Sequence, residues 1–191
     1  MPDLMRYAAE LENIAGGSLP PVENWNPPVS GDIDLTIKSD GTWIHEGTAI
    51  TRARLVRLFS TVLKREGDKY FLVTPVEKLQ IEVEDTPFVA VLMSREGEGA
   101  LQTLTFTTNV GDKVAAGPEH RIEFRKIAET GEYAPYIEVR RGLEARIARA
   151  VFYDLVSYCE PHEIDGEEMF GVWSGGMFFP FGPVSEIVRN D

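Results

Sequence analysis

A chain of 191 residues, 43% hydrophobic and 26% charged, is long enough for one or two domains and apolar enough to build a core. Nineteen Lys and Arg against 31 Asp and Glu leave a formal charge of −12, which argues against non-specific binding to nucleic acid or to an anionic membrane face. A single cysteine, Cys159, excludes an intramolecular disulfide and a cysteine-rich zinc site. The N-terminal stretch MPDLMRYAAELENIAGG has no apolar run of the secretory kind. The longest purely apolar run, Phe88 to Met93, falls far below the roughly 18–20 residues that span a bilayer. We therefore expect a soluble, cytoplasmic protein.

Leu4, Ala8, Leu11 and Ile14 recur at helical spacing and predict a short helix over residues 3–14. The following GGSLPPVENWNPP carries four prolines, which lack a backbone donor and restrict the residue before them. It reads as an extended strap laid over the surface and pinned by Trp25. Ile33, Leu35 and Ile37 then alternate with polar residues, a strand pattern, and Asp40-Gly41 turns the chain into a returning strand over 42–46. Thr51 is a plausible N-cap for an amphipathic helix to about Arg65. Gly67-Asp68 leads into the strand Tyr70 to Val73. From Leu79 to Lys126, short strands (LQIEVE, FVAVLM, LQTLTFTT, RIEFRK) joined by turns read as an antiparallel meander. YAPYIEV is a further strand, a mostly buried helix is expected from about Leu143 to Tyr158, and EMFGVW-SGG-MFFPFG closes the chain as a hairpin.

Two segments 92 positions apart share a pattern: Ala53-Arg54-Leu55-Val56-Arg57 and Ala145-Arg146-Ile147-Ala148-Arg149. Each is preceded by strand-like residues and followed by an aromatic strand, which suggests a duplicated strand–helix–strand motif. Chance likeness between two amphipathic helices is the plainer alternative. The expected organisation is a helix and proline-rich strap over 1–30, a first α+β domain over 31–85 and a second over 86–191. In the second, the meander is capped by a helix.

Little in the chain announces chemistry. His45-Glu46 suggests a zinc helix, but Ala49 stands where H-E-x-x-H needs its second histidine, and Gly47 interrupts the helix. Ser174 lies in GVWSGG, which lacks the first glycine of G-x-S-x-G and reads as a turn. Cys159, at the end of a buried helix, is expected to be inert. The phosphate-cradling glycine loops of nucleotide-binding proteins are absent. We nominate no catalytic residue, metal or cofactor, and expect a non-enzyme.

Binding residues are easier to nominate. Arg52, Arg54, Arg57, Lys64 and Arg65 form an acid-free basic run, with Arg54, Arg57, Lys64 and Arg65 opposite the apolar stripe of the expected helix. Arg146 and Arg149 repeat it, and Arg140-Arg141 precede the second copy. Arginine's planar fork suits carboxylates and phosphates, although a solvated face or pairing with local acids is the simpler role. Trp43 and His45 share one strand face and could stack and hydrogen-bond a planar ring. Asn109 and Asp112 suit capping of their own turn, or lining a site together with His120.

The run DGTWIHEGTAITRARLVRLFSTVLKREGDKYFLVTPVEKLQIEVEDTPF resembles the uncharacterised bacterial family called domain of unknown function 1285. So do TNVGDKV, the His-Arg pair at 120, RRGLEARIARAVFYDLV and GVWSGGMFFPFG, a likeness running from about Gly31 to Gly182. The resemblance implies two α+β domains on a duplicated core, the C-terminal one superficially like pleckstrin-homology folds. It implies no activity, and suggests a ligand, nucleotide-like in character, at the domain interface with a signalling role. The expected site is therefore Trp43, His45, Arg54, Arg57, Asn109, Asp112, His120, Arg140 and Arg146, holding a small anionic ligand. The alternative is a protein–protein adaptor using sheet edges or the aromatic C-terminal hairpin. Neither needs nucleic acid or membrane.

Overall fold

The computed structural model describes residues 4–14, 19–128 and 130–187. It divides into two compact units, Met1–Pro87 with Arg141–Leu143, and Phe88–Arg140 with Glu144–Asp191. The fold is α+β and mostly β. Among the described residues no helix is long and apolar enough to cross a membrane.

In the first unit, helix α1 (Leu4–Ile14) forms where expected and packs against helix α2 (Ala53–Ser60). Residues 16–18 of the strap lie outside the described residues; the rest contains one 3-10 turn, Val22–Asn24. The strap is held less by Trp25, which is half-buried, than by Val22, at 1% exposure, and by Lys64. The Lys64 ammonium donates to the Trp25 carbonyl at 2.9 Å and to Asn26 Oδ1 at 2.7 Å.

The first sheet has the order β3-β2-β1-β6-β5-β4, from β1 (Val29–Ile37), β2 (Trp43–His45), β3 (Thr48–Ala49), β4 (Leu63–Glu66), β5 (Lys69–Val73) and β6 (Lys78–Val83). The alternation of Ile33, Leu35 and Ile37 puts all three inside, at 7%, 1% and 0% exposure. The turn after β1 is a three-residue loop, with Lys38 N–H to the Thr42 carbonyl at 2.8 Å and only Gly41, of the Asp40-Gly41 pair, at positive φ. Glu46 and Gly47, at φ 47° and 75°, make the tighter turn that follows.

The helix expected to reach Arg65 stops at Ser60. Thr61 Oγ1 and Ser60 Oγ return to the Leu58 and Arg57 carbonyls at 2.6 and 2.7 Å, closing the last turn. Leu63 to Glu66 then pair with Lys69 to Leu72 as β4–β5. An eight-residue helix has little stability of its own, whereas this hairpin buries Leu63 and Leu72 at 1% and 0% exposure. Lys64 and Arg65 are thus strand residues, and the basic helical arc is lost.

The second unit carries β7 (Phe88–Glu96), β8 (Thr103–Thr108), β9 (Lys113–Ala115), β10 (Ile122–Lys126), β11 (Tyr133–Arg140) and β12 (Leu143–Ile147). Their order is β10-β11-β12-β7-β8-β9. The expected meander is corrected twice. LQIEVE is β6 and belongs to the first sheet, and β7 and β12 pair in parallel at the centre of the second. The long helix expected from Leu143 is likewise divided into β12 and an eight-residue helix α3 (Arg149–Val156). Arg141 and Gly142 are both left-handed, at φ 52° and 73°, the two-residue turn whose twist suits a hairpin, so the chain after them returns as a strand.

This overturns the proposed repeat in its register. Ala53–Arg57 is helical, while Ala145–Ile147 is strand. A different repetition is present. Each sheet is two three-stranded ribbons joined by a parallel central pair, β1/β6 or β7/β12. In the first unit α2 lies between the ribbons; in the second α3 follows both.

A third sheet, β13 (Glu160–Ile164), β14 (Glu167–Ser174) and β15 (Met177–Pro183), completes the second unit with a short helix α4 (Val184–Ile187). Its closing hairpin and Ser-Gly-Gly turn are as expected; β13 is an additional strand. One face is core, with Val172, Ser174 and Phe179 at 0%, 0% and 2% exposure.

Candidate functional site

Four nominated residues lie in the first unit. Trp43 is a core residue at 1% exposure, its ring stacked on Phe59 at 6.4 Å, so it cannot serve as an exposed ligand platform. The cause is tertiary: α1 and α2 supply Tyr7 and Phe59, whose ring centroids lie 6.4 Å apart. Tyr7 Oη and Trp43 Nε1 are buried there without hydrogen-bond partners among the described residues. His45 is half-buried at the end of β2, opposite Leu35 and Thr48. Arg54 and Arg57 are exposed on α2, with Arg54 3.7 Å from Glu12. Among the described residues no hydrogen bond or ion pair links these four to each other.

The other five lie in the second unit, in separate contacts on both faces of its sheet. Asn109 reaches a partner far from its own turn. It pairs with Val89 like a short piece of strand, its N–H donating to the Val89 carbonyl at 2.8 Å and its Oδ1 accepting the Val89 N–H at 3.0 Å. Asp112 also turns its carboxylate away from its own backbone and pairs with Arg140; their side chains are 25% and 11% exposed. The turn itself is held by Thr108, whose Oγ1 accepts the Asp112 N–H at 3.1 Å. The Arg140 guanidinium also lies 4.8 Å from the Phe88 ring centroid. Arg146 stands opposite Val89 across the parallel β12–β7 pair and is half-buried. His120 joins two residues back along β11, its Nδ1 3.0 Å from the Glu138 carbonyl. Successive strand residues point to opposite faces, so Arg140 at Phe88 and Arg146 beside Val89 lie on opposite faces of β7, and Arg140, paired with Asp112, is nearly buried. Such a near-buried guanidinium is held rigidly and in a lower dielectric than water, which favours recognition of an anion over solvation.

The remaining chemistry-bearing side chains have structural roles. Ser174 is fully buried; its Oγ donates to the Ala116 carbonyl and accepts the Leu104 N–H, both at 2.8 Å. It stitches β14 to β8 and the end of β9 rather than acting as a nucleophile. Burial pushes the Cys159 thiol up to about 12, the direction that disfavours a reactive thiolate. Among the described residues no group of three His, Cys, Asp or Glu side chains is placed to hold a metal ion.

One cluster was not among the nominated site residues, although two of its rings belong to the aromatic C-terminal hairpin named for the adaptor alternative. His162, Trp173 and Phe178 form a ring cluster on the third sheet, with centroids 4.8–5.3 Å apart. Cross-strand pairing makes it: Trp173 faces Phe178, and Gly171 leaves room for the Phe178 ring to lie across β14. Alternation along GVWSGGMFF was the available signal.

Comparison with known proteins agrees with the two-unit fold. Residues 20–86 match the N-terminal domain, and residues 87–181 the C-terminal domain, of the protein of unknown function DUF1285. A DUF1285 family protein from Silicibacter pomeroyi DSS-3 is 48% identical, with a TM-score of 0.89 over 99% of this chain and 100% of that one. One from Shewanella baltica OS155 is 27% identical, with a TM-score of 0.51 over 66% of this chain and 92% of that one. No match was found among curated proteins. With models of both domains covering most of its length, the chain belongs to the DUF1285 family.

Proposed function

We infer that the protein is a non-enzymatic, cytoplasmic binding module for a small anionic ligand, held in the second unit by Arg140. The observation that carries this is the nearly buried Arg140 guanidinium, paired with Asp112 and lying at Phe88, in a chain of net charge −12. Phosphate or carboxylate oxygens would compete with Asp112 for the Arg140 fork. A nucleotide-like ligand, a pleckstrin-homology-like use of the second unit and a role in signalling are the narrower form of the same proposal.

A thermal-shift panel of nucleotides and phosphorylated metabolites tests it. The expected result is a concentration-dependent rise in Tm for at least one compound, lost in Arg140→Lys, which keeps the charge and removes the fork. No shift from any compound at millimolar concentration overturns the proposal, and so does a shift that Arg140→Lys leaves unchanged.

A further inference from the structure

The third sheet has a second face, opposite the one that buries Val172, Ser174 and Phe179. Cross-strand register puts His162 beside Met169, Glu160 beside Gly171, Ile164 beside Glu167, and Trp173 beside Phe178 on this face. Trp173, Phe178, Met169 and Ile164 are half-buried, whereas Glu160, His162 and Glu167 are exposed. An apolar aromatic strip on an exposed sheet face is the usual form of a docking surface.

Charge decides what it fits. Glu160 and Glu167 lie on this face, Glu163 and Glu168 on the opposite one and Asp165 in the turn between β13 and β14, and neither Lys nor Arg occurs anywhere from residue 150 to residue 188. A second copy of the same face would set like charges against each other, and an anionic lipid surface or nucleic acid would be repelled. The rings touch one another at 4.8–5.3 Å, so they offer faces and edges to stack on rather than a cage to enclose a small cation. Strand addition at the β13 edge is also disfavoured, because Pro161 has no N–H to donate and the edge is lined with carboxylates. Elsewhere in this unit arginine already stacks on aromatic rings: Arg95 over Tyr158 at 4.3 Å and Arg125 over Tyr136 at 4.4 Å. Among the described residues Trp173 and Phe178 carry no such cation.

We propose that this face docks a basic, partly apolar segment of a partner protein, with its arginines over Trp173 and Phe178 and against Glu160 and Glu167. Arginine suits the site better than lysine, because its planar group stacks on a ring while its N–H fork reaches a carboxylate. The partner's apolar side chains would cover Met169 and Ile164.

Calorimetric titration of the full chain tests this with three synthetic peptides that share the same alternating leucines. One carries arginine at the intervening positions, one glutamine and one glutamate. The arginine peptide is expected to bind with an affinity that falls as salt rises, the glutamine peptide at least tenfold more weakly, and the glutamate peptide not at all. Trp173→Leu should weaken the arginine peptide about two- to fivefold. Glu160→Gln with Glu167→Gln should weaken it several-fold, while Glu96→Gln with Glu98→Gln, exposed at the end of β7 and in the turn after it, should leave it unchanged. If Trp173→Leu fails to fold, the glutamate pairs decide, because all four side chains are exposed. Equal binding of the arginine and glutamine peptides overturns the proposal. So does absence of binding at millimolar peptide, or equal loss in both glutamate pairs.

Discussion

The ring of Phe178 lies across the backbone of Gly171, so that a Cβ at position 171 would stand 2.7 Å from Phe178 Cζ and 2.4 Å from the Phe179 carbonyl oxygen. The first contact could be relieved by moving a side chain. The second is with the backbone of a strand paired to β14, which cannot yield without breaking the β14–β15 register. Gly171→Ala should therefore destabilise the protein by about 1–3 kcal/mol, the usual cost of overpacking. Urea unfolding gives the number, and an unchanged midpoint would show that β15 can shift freely. The same variant should move the Trp173 environment, since Phe178 rests against both residues.

Ser174 supplies a different kind of support. Its buried hydroxyl satisfies the Leu104 N–H and the Ala116 carbonyl at once, so Ser174→Ala leaves one buried donor and weakens one acceptor. The expected loss is about 1–3 kcal/mol. A nucleophilic serine would instead be replaceable with little loss of stability, and thermal unfolding separates the two roles.

Local alternation made parts of the fold legible and hid others. Ile33, Leu35 and Ile37 read as a strand because polar residues separate them, and they are one. Leu143, Ala145 and Ile147 alternate just as well and are buried at 0%, 0% and 2%. Leucine, alanine, glutamate and arginine are also good helix formers, so the run merges by propensity with the true helix from Arg149. Gly142 was the signal that separated them, through a turn only a returning strand would follow. The site divided in a similar way. Arg140 and Asp112, named for the same site by their chemistry, do pair. That Trp43 is core was not readable, because its cover comes from Tyr7 and Phe59 on helices remote in sequence. Asn109 and Asp112 were read as local caps, but their partners Val89 and Arg140 are 20 and 28 residues away.

The Arg140–Asp112 pair is a prediction about stability as well as binding. With side chains 11% and 25% exposed, the two charges interact largely out of solvent. Asp112→Ala should cost up to about 3 kcal/mol, because it removes a carboxylate partner from a nearly buried guanidinium. Replacing both, as Arg140→Met with Asp112→Ala, should cost less than the sum of the two single changes. A double-mutant cycle in urea measures the difference, and strict additivity would mean that the pair is solvated.

Glu66 links stability to pH. Its carboxyl is held below the usual carboxylate range, first by the hydrogen bond from Lys78 and then by that from Lys64. Lys78 Nζ reaches both oxygens, at 3.1 and 2.9 Å, from a side chain only 10% exposed. A folded pKa below the unfolded one stabilises the protein above the usual carboxylate range and ceases to do so as pH falls through the folded value. The stability gap between the natural chain and Glu66→Gln should thus be largest near neutrality and shrink on acidification. Glu66 itself is 37% exposed, so solvent screening limits this pH-dependent part to no more than about 1 kcal/mol. A gap that widens in acid would reverse the sign and place the stabilising charge elsewhere.

Cys159 gives a prediction about reactivity. The thiol follows α3 with its Sγ 3.6 Å from the Leu155 carbonyl, and burial pushes it up to about 12. Alkylation proceeds through the thiolate, so the folded protein should react with iodoacetamide at pH 8 roughly a thousandfold more slowly than an exposed cysteine. Urea should restore the ordinary rate. The pH profile separates a raised pKa from simple steric cover. With a raised pKa, the folded rate keeps climbing tenfold per unit between pH 8 and 10, where an ordinary thiol levels off. With steric cover alone, the rate is low at every pH but levels off in the ordinary range, and burial would not be what governs this sulfur.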